Sequence, residues 1–209
     1  MAVIEHQRLS DMAFVGNGVI LNRVQTRMGV LSAVEVETET LNSFKVFSMQ
    51  AFQDLLNGIH EVEFPSVYVE DKKVGGTVFT EKGMIVINAS SGQAFSISEN
   101  EARLIIPSNF IYLKVDSAIA YPPYLMWYFN ESSEMKRVFL TIKNDTGPIS
   151  LIPVSSFREL VISLPVLEKQ RLIGNQYLKA RDLIALRKRQ LEKESELLNG
   201  YLVYLSENI

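Results

Sequence analysis

The C-terminal part of the sequence carries one long segment with the pattern of a single helix. Between Val166 and Leu205 there is no proline, and Leu, Glu, Lys, Arg and Gln dominate, all of them good helix formers. Positions spaced alternately three and four apart are mostly apolar, which is typical of a coiled-coil seam. These seam positions are Ile173, Tyr177, Ala180, Ile184, Arg187, Leu191, Glu194, Leu198, Tyr201 and Leu205.

A helix of this length exceeds the size of the domain that the preceding residues can form. It would extend over about 55–60 Å, whereas a domain of this size is roughly 30–40 Å across. We therefore expect part of the seam to pack against another helix, and the alternative is a helix that lies on its own domain. Arg187 and Glu194 interrupt the seam, and in an antiparallel homodimer they would pair across it and fix the register.

The residues before this helix predict strands, turns and a few short helices. The predicted strands are Val34–Thr38, Val67–Val69, Gly83–Ile87, Leu104–Ile106, Phe110–Val115 and Val161–Leu164, which are rich in β-branched and aromatic residues. Ser48 and Gly58 have the residue types that begin and end a short helix. A second helix is expected from Pro122 to about residue 140, and a short one with a serine N-cap follows Pro153. The prediction is an α+β fold, with a mixed-sheet domain at 1–165 and a long coiled-coil helix at 166–209.

Several functional classes have no support in the composition. The chain has no cysteine, and its two histidines, His6 and His60, stand far apart, so no metal site is expected. No phosphate-binding loop, HExxH or GxSxG motif is present. We find no signal peptide and no apolar run long enough to span a membrane, which favours a cytoplasmic protein.

The charge of the chain is unevenly distributed. Residues 1–165 contain 13 Lys and Arg against 18 Asp and Glu, while residues 166–209 contain 8 against 6. A negative domain is unfavourable for binding DNA, because phosphate contacts supply much of the affinity of DNA-binding proteins. Any DNA contact would therefore depend on a local basic surface.

Four segments before and at the start of the long helix form a characteristic series. They are the aromatic helix Tyr124–Asn130, the loop ending in Gly147–Ile149, the segment Ile152–Leu160, and Val161–Gln170. In this order they resemble the specificity subunits of Type I restriction-modification systems. The last is similar to the family's "IPLPPLxEQ", with Val166 in place of the second proline and Lys169 before the glutamine. Arg8–Gly18 and Lys82–Asn88 match more loosely, with Met84 in place of an acidic residue.

The resemblance implies a DNA-recognition subunit that is not itself an enzyme. Members of the family commonly carry two target-recognition domains separated by helices, and each domain recognises one half of an interrupted DNA sequence. This sequence has one such domain, 1–165, and one helix, so it is similar to a half-subunit that would act as a homodimer on a symmetric target. The implied partners are DNA, an adenine methyltransferase subunit and a restriction subunit. No cofactor of its own is implied, because S-adenosylmethionine would bind to the methyltransferase.

Two short motifs favour the different hypothesis of a methyltransferase. Phe14–Gly18 resembles the FxGxG motif that binds S-adenosylmethionine, and Tyr121–Tyr124 resembles the catalytic tetrad N/D-P-P-Y. However, Tyr121 replaces the residue that must accept a hydrogen bond from the target amino group. The glycine motif also lacks the strand before it and the helix after it that such loops need.

Candidate DNA contacts are polar and basic side chains in predicted loops, since bases and phosphates are recognised by such groups. They are Asn22, Arg23 and Arg27; Lys72 and Lys73; Ser90, Ser91 and Gln93; and Lys136, Arg137 and Lys143. Lys72, Lys73, Arg23 and Arg27 are the first choices, because they concentrate positive charge in a negative domain. Two alternatives remain: solvated loops without a ligand, and an interaction or decoy module that keeps the scaffold without recognising DNA.

Overall fold

The computed structural model of the chain describes residues 4–26, 41–59, 61–146 and 151–208, with the side chains of Ile4 and of 143–146 excepted. The strands are β1 (Ile4–Arg8), β2 (Ala13–Asn17), β3 (Leu41–Lys45), β4 (Ser66–Glu70), β5 (Ile85–Asn88), β6 (Ala94–Ser96), β7 (Phe110–Val115) and β8 (Val161–Pro165). The helices are α1 (Leu9–Met12), α2 (Leu21–Val24), α3 (Met49–Leu56), α4 (Asp71–Val74), α5 (Pro122–Glu131), α6 (Ser133–Thr146), α7 (Val154–Arg158) and α8 (Leu167–Glu207). Within these ranges, no helix is long and apolar enough to cross a membrane.

A four-stranded antiparallel sheet in the order β2-β7-β5-β6 forms the centre of the domain. Successive side chains of a strand point to opposite faces, and both faces of this sheet are covered. Ile85 and Ile87 pack with α5, α6 and α7 on one face. Val86 and Tyr112 pack with α3 on the other. The two central strands are therefore apolar almost throughout, as their sequences indicated.

Two further antiparallel ribbons flank this sheet. β1 pairs with β8, so Arg8 lies opposite Val161 and the beginning of the domain is joined to the strand that leads into α8. β3 pairs with β4 and packs on a small separate cluster that includes Val46 and Ile105. Among the described residues, parallel pairing is confined to isolated bridges such as Val46 with Ile105. The α+β fold with a long C-terminal helix is confirmed.

Most of the predicted elements are confirmed, and the short α3 shows why. The Ser48 hydroxyl accepts a hydrogen bond from the Ala51 N–H at 3.1 Å, and Gly58 has a φ of +75° just after the helix. The strand predicted at Leu104–Ile106 is wrong, because this buried segment bonds to three different partners: the Thr80 hydroxyl, the Lys45 carbonyl and the Val78 carbonyl. A segment shared among several neighbours cannot form a regular ladder.

Three other expectations have different outcomes. The helix expected from Pro122 to about residue 140 is two helices, because Ser132 leaves the helical conformation between α5 and α6. The N-cap residue of α7 is Pro153 and not a serine. The strand predicted at 34–38 and the loop end at 147–149 lie outside the described residues.

Candidate DNA interface and partner helix

The start of α8 is fixed to the domain by one buried glutamine. Gln170 is 2% exposed, and its amide donates to the Pro165 carbonyl at 2.8 Å and to the Ile119 carbonyl at 3.2 Å. Its oxygen accepts the Tyr121 N–H at 2.9 Å. A buried side chain with all these groups satisfied sets the direction in which the helix leaves the strand β8. The glutamine that ends the family-like segment therefore has a structural role.

The aromatic helix α5 connects this junction to the core. The Tyr124 hydroxyl donates to the Ser163 carbonyl at 2.6 Å, and the Tyr128 hydroxyl donates to the Glu134 carboxylate at 2.6 Å. Burial raises the pKa of both phenols, so they remain protonated donors. Their partners lie on β8 and α6, which makes α5 a rigid support for the long helix.

Close backbone contact allows α8 to lie directly on α5. Gly174 is buried, and a Cβ atom there would lie 2.7 Å from the Tyr124 nitrogen. The Asn130 amide group bonds both the N–H and the carbonyl of Ala94 on β6, and also the Tyr177 hydroxyl at 3.2 Å. These contacts hold α5, the sheet edge and α8 as one unit.

A second docking point lies one turn further along α8, at the end of α3. The Arg181 guanidinium donates to the Leu55 and Leu56 carbonyls at 2.9 and 2.6 Å, where a cation is favourable because carbonyls at a helix C-terminus lack partners. Gly58 lies so close to Ala185 that a Cβ atom at Gly58 would be 2.4 Å from the Ala185 Cβ. Arg189 donates to the Gly58 carbonyl at 2.7 Å. The first half of α8 is therefore attached to its own domain.

The predicted seam lies largely on another side of the helix. The domain-facing positions are Gln170, Gly174, Arg181 and Ala185, and Ile184 is rotated by about 100° from its neighbour Ala185. Only Ile173 and Tyr177 of the seam pack partly on the domain. Ala180, Ile184, Arg187, Leu191, Glu194, Leu198 and Tyr201 are exposed, and Leu205 is half-buried. The exposed fractions of Ile184, Leu191, Leu198 and Tyr201 are 55–65%.

This arrangement combines the two hypotheses for the helix. The 41-residue α8 is about 61 Å long, and its first half does pack on its own domain. An apolar stripe nevertheless runs along it that no other described residue covers. Contiguous exposed apolar surfaces mark interaction sites, so we define the exposed seam residues Ile184, Leu191, Leu198 and Tyr201 as the open stripe.

Two sets of predicted DNA contacts come together at one end of the domain and form a first group. They are Asn22 and Arg23 on α2, and Lys72 and Lys73 on α4. The segments are neighbours, because Thr26 donates its backbone N–H to the Tyr68 carbonyl at 2.8 Å. Leu21 and Val74 also place both helices against the same small apolar cluster. Arg27 lies outside the described residues.

The two lysines are held by a carboxylate. Glu70 is buried and receives Lys73 Nζ at 2.8 Å, Lys72 Nζ at 3.1 Å and the Thr26 hydroxyl at 2.8 Å. The hydrogen bonds from Lys73, Thr26 and Lys72 lower the pKa of Glu70 from 4.5 to about 2. The carboxylate orients the lysines and also offsets one of their charges, so this surface is less positive than its sequence indicates.

A second group forms between the β5–β6 turn and α6. Ser91, Gln93 and Lys136 line one cavity of about 400 Å³, and Ser90 is exposed on the same turn. Gly92 has a φ of +77° and lies against the Phe139 ring, where a Cβ atom would be 2.5 Å from it. Lys136 pairs with Glu131 at 3.3 Å, and Arg137 is exposed beside it. The side chain of Lys143 lies outside the described residues.

The chain leaves the central sheet towards both groups at the same end. Gly18, which leads from β2 to α2, donates to the Phe110 carbonyl at 3.0 Å. Asn88, which begins the turn of the second group, is paired with Phe110 in the sheet. The structure therefore brings four predicted clusters into two, and both are reached from one end of the sheet.

The methyltransferase-like motifs have structural positions that do not match their resemblance. Phe14–Asn17 belongs to the antiparallel strand β2, and a Cβ atom at Gly18 would be 2.1 Å from the Pro107 carbonyl oxygen. The Tyr121 hydroxyl donates to Asn175 on α8 at 2.8 Å. Both segments pack against other parts of the domain, so neither forms an open loop for S-adenosylmethionine or for a target base.

Sequence reasoning missed the residues that position the long helix. Asn130, Arg181, Gly58 and Gly174 are not predicted to contact other elements. The signal for Gln170 was present in its resemblance to the family's terminal glutamine. The others have no local pattern, because their partners are 36 to 131 positions away.

Comparison with known proteins gives a likeness in structure and none in sequence. No protein-family model matches the chain, and no curated protein matches it. A chain described under "complex assembly and conformational transition of the type I R-M system" superposes with a TM-score of 0.60, 14% identity and 93% of this chain covered. The HsdS subunit from Thermoanaerobacter tengcongensis gives 0.59, 12% identity and 93% coverage. The Type I restriction-modification S subunit from M. genitalium gives 0.50, 14% identity and 95% coverage.

The matched part is about half of each solved chain, namely 47%, 47% and 42% of their lengths. More than nine-tenths of this chain is covered in each case, so the match includes the domain and most or all of α8. The resemblance found in the sequence is therefore confirmed at the level of the fold: the chain has the fold of a Type I HsdS specificity subunit, over about half of such a subunit's length.

Proposed function

We propose that this chain is the DNA-recognition subunit of a Type I-like restriction-modification complex. Residues 1–165 are the target-recognition domain, and residues 166–209 form the helix for dimerisation and for docking of the modification subunit. The chain has no catalytic role of its own, and it directs a partner adenine methyltransferase, and a nuclease where one joins, to an interrupted target. The observation that carries the proposal is the open stripe on a helix that is itself rigidly attached to a domain with this fold.

The open stripe supports a homodimer. Two copies with antiparallel helices cover each other's apolar residues, and Arg187 of one copy meets Glu194 of the other. This register brings Leu198 of one helix beside Ile184 of the other. The domains are then held at opposite ends of the helix pair, so a symmetric dimer would recognise two half-sites separated by a spacer.

The dimer is tested by sedimentation velocity on the full chain. We expect Arg187→Glu to weaken self-association and the double variant Arg187→Glu/Glu194→Arg to restore it. Lys193→Glu makes the same charge change outside the seam and is the matched control, with wild-type association expected. Wild-type association of Arg187→Glu would remove this register, and a monomeric wild-type chain would remove the homodimer.

DNA recognition is assigned to the two clusters at one end of the sheet. The first cluster, Asn22, Arg23, Lys72 and Lys73, carries oriented cations for phosphates. The second, Ser90, Ser91, Gln93, Lys136 and Arg137, has amide, hydroxyl and basic groups that suit base edges and phosphates. Arg27 and Lys143 remain predicted contacts.

Co-purification with a candidate modification subunit tests the function itself. We expect sequence-specific DNA binding and N6-methylation of adenine by the complex, and neither activity when this chain is omitted. The double variant Lys72→Ala/Lys73→Ala in the complex should weaken DNA binding. The slope of the logarithm of the binding constant against the logarithm of the salt concentration should become shallower by about one for each lost phosphate contact. Binding of S-adenosylmethionine to this chain alone would instead support the methyltransferase hypothesis.

The alternative of an interaction or decoy module also has one supporting observation. Glu70 offsets part of the charge of Lys72 and Lys73, in a domain that is already negative. A decoy would bind the modification subunit with the same affinity and would leave methylation unchanged or lower it. The same co-purification therefore separates the two functions by the presence or absence of site-specific methylation.

A further inference from the structure

The β3–β4 ribbon packs on the domain with one face, and among the described residues its other face carries exposed side chains. Its inward residues Phe44, Val67 and Val69 belong to the small apolar cluster beside the central sheet. The outward pairs are Leu41 with Glu70, Ser43 with Tyr68, and Lys45 with Ser66. Glu70 is buried beneath Lys72 and Lys73, whereas Ser43, Lys45, Ser66 and Tyr68 are exposed, with the Tyr68 side chain 41% exposed. The ribbon therefore presents hydroxyl, ammonium and aromatic groups in one row on a rigid support.

Basic side chains stand at both ends of this row. Lys72 and Lys73 follow directly after β4 and lie at its far end. At the other end, Lys45 and Arg103 line one groove of about 710 Å³. Glu61, Glu63 and Glu101 also line that groove, so any anion would have to bind on the side of the two cations.

Arg103 has an unusual and well-supported conformation. It is exposed and has a φ of +66°, the left-handed region that few residues other than glycine adopt. The turn is held by buried Thr80, whose carbonyl accepts the Arg103 N–H at 2.8 Å and whose hydroxyl accepts the Leu104 N–H at 2.8 Å. Backbone strain that is maintained in this way is often found at functional sites. Here it fixes the backbone from which an exposed arginine side chain extends beside the ribbon.

We propose that the β3–β4 ribbon enters the major groove of DNA and recognises bases there, which rests on the function proposed above. The major groove admits a two-stranded ribbon, and other DNA-binding proteins use strands in this way. The five residues of β3 span about 13 Å, close to the groove width of about 12 Å. A ribbon of this length laid across the groove brings the cations at its two ends towards the phosphate backbones that border it.

The chemistry of the row assigns different roles to its members. Ser43 and Ser66 donate to or accept from base edges, and the Tyr68 ring contacts a thymine methyl group. Lys45 and Arg103 bind phosphates at one rim, while Lys72 and Lys73 bind at the other. None of these outward ribbon residues supports the core, so each can be replaced without loss of the fold.

The test uses the complex of this chain with its modification subunit and a library of randomised 40-base-pair duplexes. Sequencing of the bound fraction gives the preferred bases, and binding to the selected duplex is then measured at several salt concentrations. We expect Tyr68→Ala and Ser43→Ala to lower discrimination at one or two base pairs of a half-site by roughly 5- to 150-fold. Lys45→Ala and Arg103→Ala should keep the preferred bases and lower the salt slope by about one each.

Matched controls have the same residue types on other exposed surfaces. Phe14→Ala removes an exposed aromatic side chain from β2, and Lys82→Ala removes a lysine that is 72% exposed. Both should leave base preference and salt slope unchanged.

Two outcomes distinguish failure of the ribbon proposal from failure of the proposed function. If the wild-type complex selects a sequence and the ribbon variants select the same bases with the same salt slope, the ribbon is not in the groove and the proposed function stands. If the wild-type complex selects no sequence, the function and the ribbon proposal both fail.

Discussion

Replacing the buried Gln170 should be among the most damaging single changes at the junction of domain and helix. Gln170→Met keeps the length of the side chain and removes its polar groups. The carbonyls of Pro165 and Ile119 and the N–H of Tyr121 then lose the partners that bind them at 2.8, 3.2 and 2.9 Å. Gln170 is 2% exposed, so a methionine in its place leaves these three groups beside an apolar side chain.

The size of the effect follows from the three groups left without a partner. Each unsatisfied buried group costs about 1–3 kcal/mol, and the costs are not fully additive because the groups share one site. We expect the free energy of unfolding to fall by roughly 3–5 kcal/mol, a large part of the 5–15 kcal/mol of a typical domain.

Urea denaturation followed by circular dichroism measures this effect through the shift in midpoint at constant slope. The control is Gln176→Met, the same change at an exposed position of the same helix, for which a change within about 0.5 kcal/mol is expected. A loss below about 1 kcal/mol for Gln170→Met would refute the reasoning, since it would mean that the three groups are satisfied without the glutamine.

Three further changes test other contacts. Gly174→Ala should destabilise the chain by about 1–3 kcal/mol in thermal melts, because its Cβ has no room beside α5, whereas Gly200→Ala, which meets nothing within 4 Å, should stabilise it by about 0.5–1 kcal/mol. Arg181→Met should cost about 2–3 kcal/mol in urea denaturation, since it removes a charged donor from carbonyls at the end of α3; little or no loss would mean that water satisfies them. Glu70 has a lowered pKa, so its stabilising effect is complete above pH 4.5 and is lost as the pH falls towards about 2. The melting temperature of wild type should therefore approach that of Glu70→Gln over this range, and a constant difference would contradict the ion pairs.

The sequence by itself determined the elements whose pattern is local. The apolar strands of the central sheet, the capped α3 and the uninterrupted α8 all follow from side-chain periodicity, capping residues and the absence of proline. The order of segments from Tyr124 to Gln170 also indicated the family whose fold the solved structures confirm. In each case the information lies within a few residues, and neighbouring residues are sufficient to decide the local conformation.

Only the tertiary structure decided which faces meet. The sequence could not distinguish a helix that packs on its own domain from one that packs on a partner helix. In the structure, the side of α8 that carries Ala185 packs on the domain, and the side that carries Ile184 is exposed. The sequence also could not show that the Glu70 carboxylate would offset part of the positive charge of Lys72 and Lys73. Contacts between positions far apart in the chain depend on how the elements pack, and packing is set by the shapes and charges of all the surfaces together.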